Sequence, residues 1–316
     1  MNNKENRSIL KTGEFWMVIT ALGYSAGNIF DKLGMSTYGT DSFFGAMMKA
    51  IPQFVFPLIL IALGVDKKQL GERPKLKNKK VYLWFVGCGF ISSFVGNYFF
   101  LRAMTVGGVN VAVPTVQTWT LIGAVLGIVF MKERFHRNIV VGAALAVAGL
   151  VVLSLGQFYG VPVSDKWYLG IVFALITACC WAFSTLFYNK GQKEGGGRSW
   201  GIFTQYFSGS IFLLLFMLAT NRISAFTTTP PAIYATLLGS GTFSFIATFA
   251  LYTAVRYSPM SKILPINTSY PVLTAIVAWL FLGETMNWMI AVGIVLVVVG
   301  ITLSQRTKAL IMEKKV

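Results

Sequence analysis

The stretch Ala103–Gly149 occurs twice in this chain. Shifted by 151 positions it lies without a gap on Ala254–Gly300, and eleven of the 47 pairs are identical. Leucine and valine matches mean little in apolar sequence, but the punctuation keeps register as well. Pro114 falls over Pro265, Glu133 over Glu284, Gly142 over Gly293 and Gly149 over Gly300. A repeat this long governs architecture, because both copies must adopt one local structure and then pack on each other.

The repeated sequence belongs to a membrane. Apolar runs of about 20 residues recur along the chain, the length that crosses a hydrocarbon core of about 30 Å. The 316 residues are 55% hydrophobic and 12% charged, with a mean hydropathy of +0.66. Backbone groups in lipid must be bonded within their own segment, so the runs are expected to be helices. Ten segments are predicted, at roughly 14–34, 41–64, 81–104, 108–130, 137–157, 167–188, 199–219, 232–255, 260–282 and 287–305. The polar start through Gly13 leads straight into a full-length apolar run, which reads as a first membrane helix and not a cleaved signal.

The basic residues then set orientation. On one side, the N-terminus, the alternate loops and the tail hold 22 Lys and Arg, while the opposite loops hold Lys166 and Arg222 alone. This bias predicts both termini in the cytoplasm and an even helix count. It also accounts for the net charge of +16 without nucleic acid, since no basic face or arm is present. Five helices per half is an odd number, so the second half should enter the membrane inverted. The first helices match too: Ile19-Thr20-Ala21 lies over Ile176-Thr177-Ala178 at a shift of 157, with Phe30 over Phe187. The expected fold is therefore an all-α integral membrane protein of ten transmembrane helices, built as two inverted-topology five-helix repeats, 1–157 and 158–316. Inverted repeats are typical of secondary transporters, with a solute site near the midplane where the halves meet.

Several residues carry this expectation. Leu264-Pro265 through Tyr270-Pro271, Thr274-Ala275, Leu280-Phe281-Leu282-Gly283-Glu284, Gly293 and Gly300 resemble the last two helices of the EamA-type branch of the drug/metabolite transporter superfamily. The first copy is looser: Pro114, Lys132-Glu133, Gly142 and Gly149 match, while Thr120 stands where the second proline is common and Lys132 where glycine is usual. Lys49 occupies a place where members often carry arginine. The resemblance implies a ten-helix carrier of amino acids, metabolites, cations or sugar derivatives, and its motifs mark fold more than substrate.

Pro114 and Pro265 sit inside apolar helices, where each removes one ladder bond, and they are the expected helix hinges. A polar cluster follows each: Gln117, Thr118, Trp119 and Thr120, then Asn267, Thr268, Ser269 and Tyr270. Such groups in hydrocarbon need partners, across helices or on a ligand. Charged residues within the predicted spans are Asp31, Lys32, Lys49 and Arg102. Asp31, Lys32 and Arg102 lie toward the outer helix ends, whereas Lys49 is eight residues into the second helix, about 12 Å deep at 1.5 Å per residue. Two roles stay open for Lys49: pairing with Asp31, or meeting an anionic group on the solute. Asn28, Asn97, Trp181 and Gln205 complete the candidate solute path with Asp31, Lys49, Gln117, Trp119, Asn267 and Tyr270. Glu133 and Glu284 are read as structural, receiving N–H groups where the next helix begins.

The expected function is alternating-access transport of a small organic metabolite, an amino acid or related solute, across the cell (inner) membrane. The alternative is proton-coupled export of cationic drugs or quaternary ammonium compounds through Asp31. No catalytic residue, metal site or cofactor is expected. The one histidine is His136, Cys88, Cys179 and Cys180 lack ligand spacing, and no nucleophile elbow appears. The expected partners are the solute and the bilayer, with a coupling proton or exchanged solute and a second copy of the chain as further candidates, and no nucleic acid.

Overall fold

The structure is a computed structural model that describes residues 12–36, 41–65, 79–132, 136–158, 166–282 and 286–313. Every regular element among them is helical. The order is α1 (Gly13–Ser36), α2 (Ser42–Ala62), α3 (Lys79–Cys88), a π-helical segment (Gly89–Gly96), α4 (Asn97–Gly107), α5 (Val109–Val116), α6 (Thr118–Phe130), α7 (Arg137–Phe158), α8 (Trp167–Lys193), α9 (Arg198–Ala219), a single turn α10 (Ala225–Thr228), α11 (Pro231–Tyr257), α12 (Met260–Asn267), α13 (Ser269–Leu282) and α14 (Trp288–Glu313). Among the described residues, seven continuous helical stretches are long and apolar enough to cross a membrane, with a shorter apolar one at Trp288–Ser304. Exposed side chains such as Leu22, Leu83, Leu215, Val295 and Trp288 face outward, an apolar surface that suits lipid and not water.

The element boundaries obey the repeat. Moving α5 and the start of α6 by 151 residues gives the start and end of α12 and the start of α13, and Arg137 at the head of α7 moves to Trp288 at the head of α14. Pro114 and Pro265 lie inside α5 and α12, and an irregularity follows each by three residues. At Gln117 the backbone N–H is shared between Val113 and Pro114 carbonyls, at 3.3 and 3.1 Å, and at Thr268 it turns to Pro265 O at 3.2 Å. Each helix thereby tightens by a 3₁₀-type bond without reversing direction. The third predicted span hides a feature that its sequence does not announce: Gly89–Gly96 is π-helical. Glu133 and Glu284 lie outside the described residues.

Packing between helices runs along seams of small residues, as expected where lipid removes any hydrophobic preference between helix and neighbour. Gly142, Gly149 and Gly156 are spaced seven apart on α7; Gly142 meets Gly300 and Gly149 meets Gly293 on α14, while Gly156 meets Asn287 and Ile290. A Cβ at Gly149 would fall 2.7 Å from Val297 N, and one at Gly300 would fall 2.5 Å from Gly142 O. Gly23 and Gly27 of α1 pack against Ala247 and Ser244 of α11, and Gly107 of α4 against Gly170 of α8. Helices of the two sequence halves thus interleave: α1 with α11, α2 with α9, and α6 with α12. The polar interior is left between them.

Candidate functional site

The interior holds a cavity lined from both halves by polar and aromatic side chains. Centres of water-sized molecules can occupy about 80 Å³ of it, several times the roughly 10–15 Å³ that one water requires. Of the residues singled out from sequence, Asn28, Lys49, Asn97, Trp119, Trp181, Gln205, Asn267 and Tyr270 line it. Asp31 and Gln117 stand directly behind this lining, each bonded to a residue in it.

Lys49 and Asp31 pair. Lys49 Nζ donates to Asp31 Oδ2 at 2.5 Å, and Ser240 Oγ donates to Asp31 Oδ1 at 2.7 Å. The carboxylate side chain is 1% exposed and the lysine side chain 10%. Burial of two charges is tolerable when they neutralise each other and their remaining atoms are bonded. Of the two roles left open for Lys49, the structure realises pairing with Asp31. Asp31 is also buried, not at an exposed helix end, so an acid does stand beside the deep lysine.

Gln205 is equally occupied. Its Nε2 donates to Ser92 Oγ at 2.9 Å, and its Oε1 accepts from Tyr252 OH at 2.8 Å. Ser92 belongs to the π-helical segment, which lies so close to α9 that a Cβ at Gly89 would sit 2.3 Å from Gln205 O. The Tyr252 ring stacks on Tyr188, centroids 3.3 Å apart, and Tyr188 OH donates to Arg198 O. Arg198, counted among the loop cations by sequence, is in fact 1% exposed, donating to Thr253 Oγ1 at 2.7 Å and lying 3.8 Å from the Phe249 ring centroid.

The two tightened helices touch at the cavity. Pro271 has no N–H to offer the Asn267 carbonyl one turn earlier, and Gln117 Nε2 donates to that carbonyl instead, at 3.2 Å. Gln117 Oε1 in turn accepts from Trp119 Nε1 at 3.1 Å. The side chain of Asn267 is fully buried, and neither its Oδ1 nor its Nδ2 has a hydrogen-bond partner. Ser184 Oγ and Asn28 Nδ2, on the same cavity, are also unpartnered.

The lining follows the repeat. Asn97 and Thr248, Phe100 and Leu251, and Trp119 and Tyr270 are related by 151 positions; Tyr24 and Trp181, and Asn28 and Thr185, by 157. Thr248, Thr185 and Tyr24 were therefore within reach of the sequence, by carrying Asn97, Asn28 and Trp181 across to their partners. Gln53 and Ser92 gave no such signal. The polar clusters after the prolines correspond with an offset of one: Gln117 matches Thr268, the two positions where the helices tighten. Among the described residues no group of three His, Cys, Asp or Glu is placed to hold a metal ion.

Comparison with known proteins identifies one family. The model of the EamA-like transporter family matches residues 11–155 and 168–305, one match in each half. An uncharacterized transporter of Clostridium kluyveri is 24% identical over 296 residues, 92% of each chain. A probable amino-acid metabolite efflux pump of Salmonella typhimurium is 26% identical over 234 residues, covering 68% of this chain and 74% of that one. A solved crystal structure at 15% identity superposes with a TM-score of 0.68 over 92% of this chain and 96% of the other, a likeness of fold.

Proposed function

The chain belongs to the EamA-like transporter family of the drug/metabolite transporter superfamily, and from that premise we propose that it is a secondary carrier of a small organic metabolite, an amino acid or a close relative, working by alternating access. The observation that carries this reading is the cavity, which lies between the sequence halves and is lined by pairs of residues that the repeat relates. Two similar halves around one site can rock about it, closing one face as the other opens. In this reading the chain crosses the inner membrane ten times as two inverted five-helix repeats with both termini cytoplasmic. The seven long apolar stretches and Trp288–Ser304 account for eight crossings, and α1 and the α12–α13 pair supply the others. The name of the Salmonella relative adds weight to an amino-acid solute. The cation-exporter reading is not favoured, because both oxygens of Asp31 are engaged by Lys49 and Ser240.

Counterflow tests the proposal. Purified protein is reconstituted into liposomes loaded with a millimolar mixture of amino acids, and uptake of each labelled amino acid is followed from outside. A carrier gives saturable uptake that internal solute accelerates. Uptake equal to that of empty liposomes for every amino acid, or sustained single-channel currents in a planar bilayer, would rule it out.

A further inference from the structure

The cavity offers a solute fewer free groups than its lining suggests, and those that are free share one character. Lys49 and Gln205, the polar residues that sequence brings forward first, are both internally bonded. Tyr206 OH and Tyr24 OH converge on Thr248 Oγ1 at 3.1 and 3.4 Å. Asn267 is the contrast. Its backbone is fixed by Gln117, its side chain is buried, and both ends of its amide are without partners. Ser184, 2% exposed, adds an unpartnered hydroxyl on the same cavity.

We infer that Asn267 is the residue that selects the solute, and that it selects for a hydrogen-bond donor and acceptor carried side by side on a molecule of zero net charge: a zwitterionic amino acid or a primary carboxamide. This rests on the carrier reading and narrows it. A buried amide left unpaired at both ends is costly, and the cost is removed by a ligand that satisfies both atoms at once. The two atoms belong to one planar group, so they are met by a donor and an acceptor held next to each other. The charge requirement follows from Lys49, the one charged side chain among the described lining residues, whose charge Asp31 already cancels. A solute with net charge would enter a buried site without a free counter-charge, which is strongly unfavourable. The rings of Trp119 and Tyr270, both in the lining, offer the apolar part of the solute a wall.

The test uses the full chain in detergent and four solutes with one branched aliphatic body: L-leucine, 4-methylpentanamide, 4-methylpentanoate and isoamylamine. Calorimetric titration is expected to show L-leucine and the amide binding at least about tenfold more tightly than the anion or the amine. Asn267→Leu should weaken L-leucine by about tenfold or more. Asn267→Asp should reverse the order in favour of isoamylamine, a switch that a purely structural role would not produce. The doubly neutral variant Asp31→Asn/Lys49→Met should keep the wild-type order of the four solutes, since Asp31 already cancels the Lys49 charge. Three outcomes overturn the inference and leave the carrier reading standing: both Asn267 variants keep the wild-type order, the anion binds best and is lost in the double variant, or the wild type carries other metabolites but binds neither neutral solute. A wild type that binds none of the four and shows no counterflow with any amino acid overturns both.

Discussion

Lys49 and Asp31 illustrate how one side chain can look like a site and serve as a strut. The pair is buried, with Ser240 as the third member. Removing one partner leaves an uncompensated charge in a low-dielectric interior, which typically costs about 3–5 kcal/mol. Lys49→Ala should therefore lower the detergent melting temperature sharply, while Asp31→Asn/Lys49→Met should recover most of the loss. Singles no less stable than the double would show that the pair is not coupled. Gln117 deserves the same treatment, because it bonds both the Asn267 carbonyl and Trp119 Nε1. Gln117→Leu strands two buried polar groups at about 1–3 kcal/mol each, and the loss is read in the same melt. At this scale the sequence showed which residues were unusual for a membrane interior, but not how their hydrogen bonds are shared out. Lys49 and Gln205 were legible as polar and deep; that their partners would be Asp31, Ser92 and Tyr252 depends on which helices become neighbours.

Among the elements, the glycine-marked pair α7 and α14 packs along a close seam. A Cβ at Gly149 would meet Val297 N, Leu296 Cβ and Gly293 O at 2.7–2.9 Å, all backbone or near-backbone atoms that cannot swing aside. Gly149→Ala is expected to destabilise by about 1–3 kcal/mol through overpacking. Gly87→Ala on α3 is the control: its Cβ would sit 3.5 Å from Phe187 Cδ2, an ordinary contact. There the gain in helix propensity, up to about 1 kcal/mol, should leave stability level or higher. Equal melting temperatures for the two variants would refute the seam. Proline and glycine made these elements readable, since both act through backbone geometry that every copy of the repeat must share. The π-helical Gly89–Gly96 was not readable: it packs so closely on α9 that neither Gly89 nor Gly209 of α9 has room for a side chain, a contact that only the folded chain shows.

At the scale of the whole molecule, two ion pairs among the described residues join the sequence halves away from the cavity lining. Glu14 at the head of α1 pairs with Lys262 of α12, and Asp41 at the head of α2 pairs with Arg222 after α9. Under the proposed topology the first lies at the cytoplasmic face and the second at the outer face. Both pairs are partly solvated, where such contacts are worth about 0–1 kcal/mol, a strength suited to links that the proposed transport cycle would break. Arg222→Ala should accordingly move the melting temperature by little, and a loss comparable to that of Lys49→Ala would argue against so light a link. The claim that joins these scales is that one cavity serves both faces of the membrane. It is tested most directly by replacing Cys88, Cys179 and Cys180 with alanine and placing single cysteines at Asn97 and at its repeat partner Thr248. Labelling by a membrane-impermeant thiol reagent is then measured in sealed vesicles of each orientation. The account predicts that each cysteine is labelled from both sides and protected by a transported solute; labelling of both positions from one side alone, whatever solute is present, would contradict it.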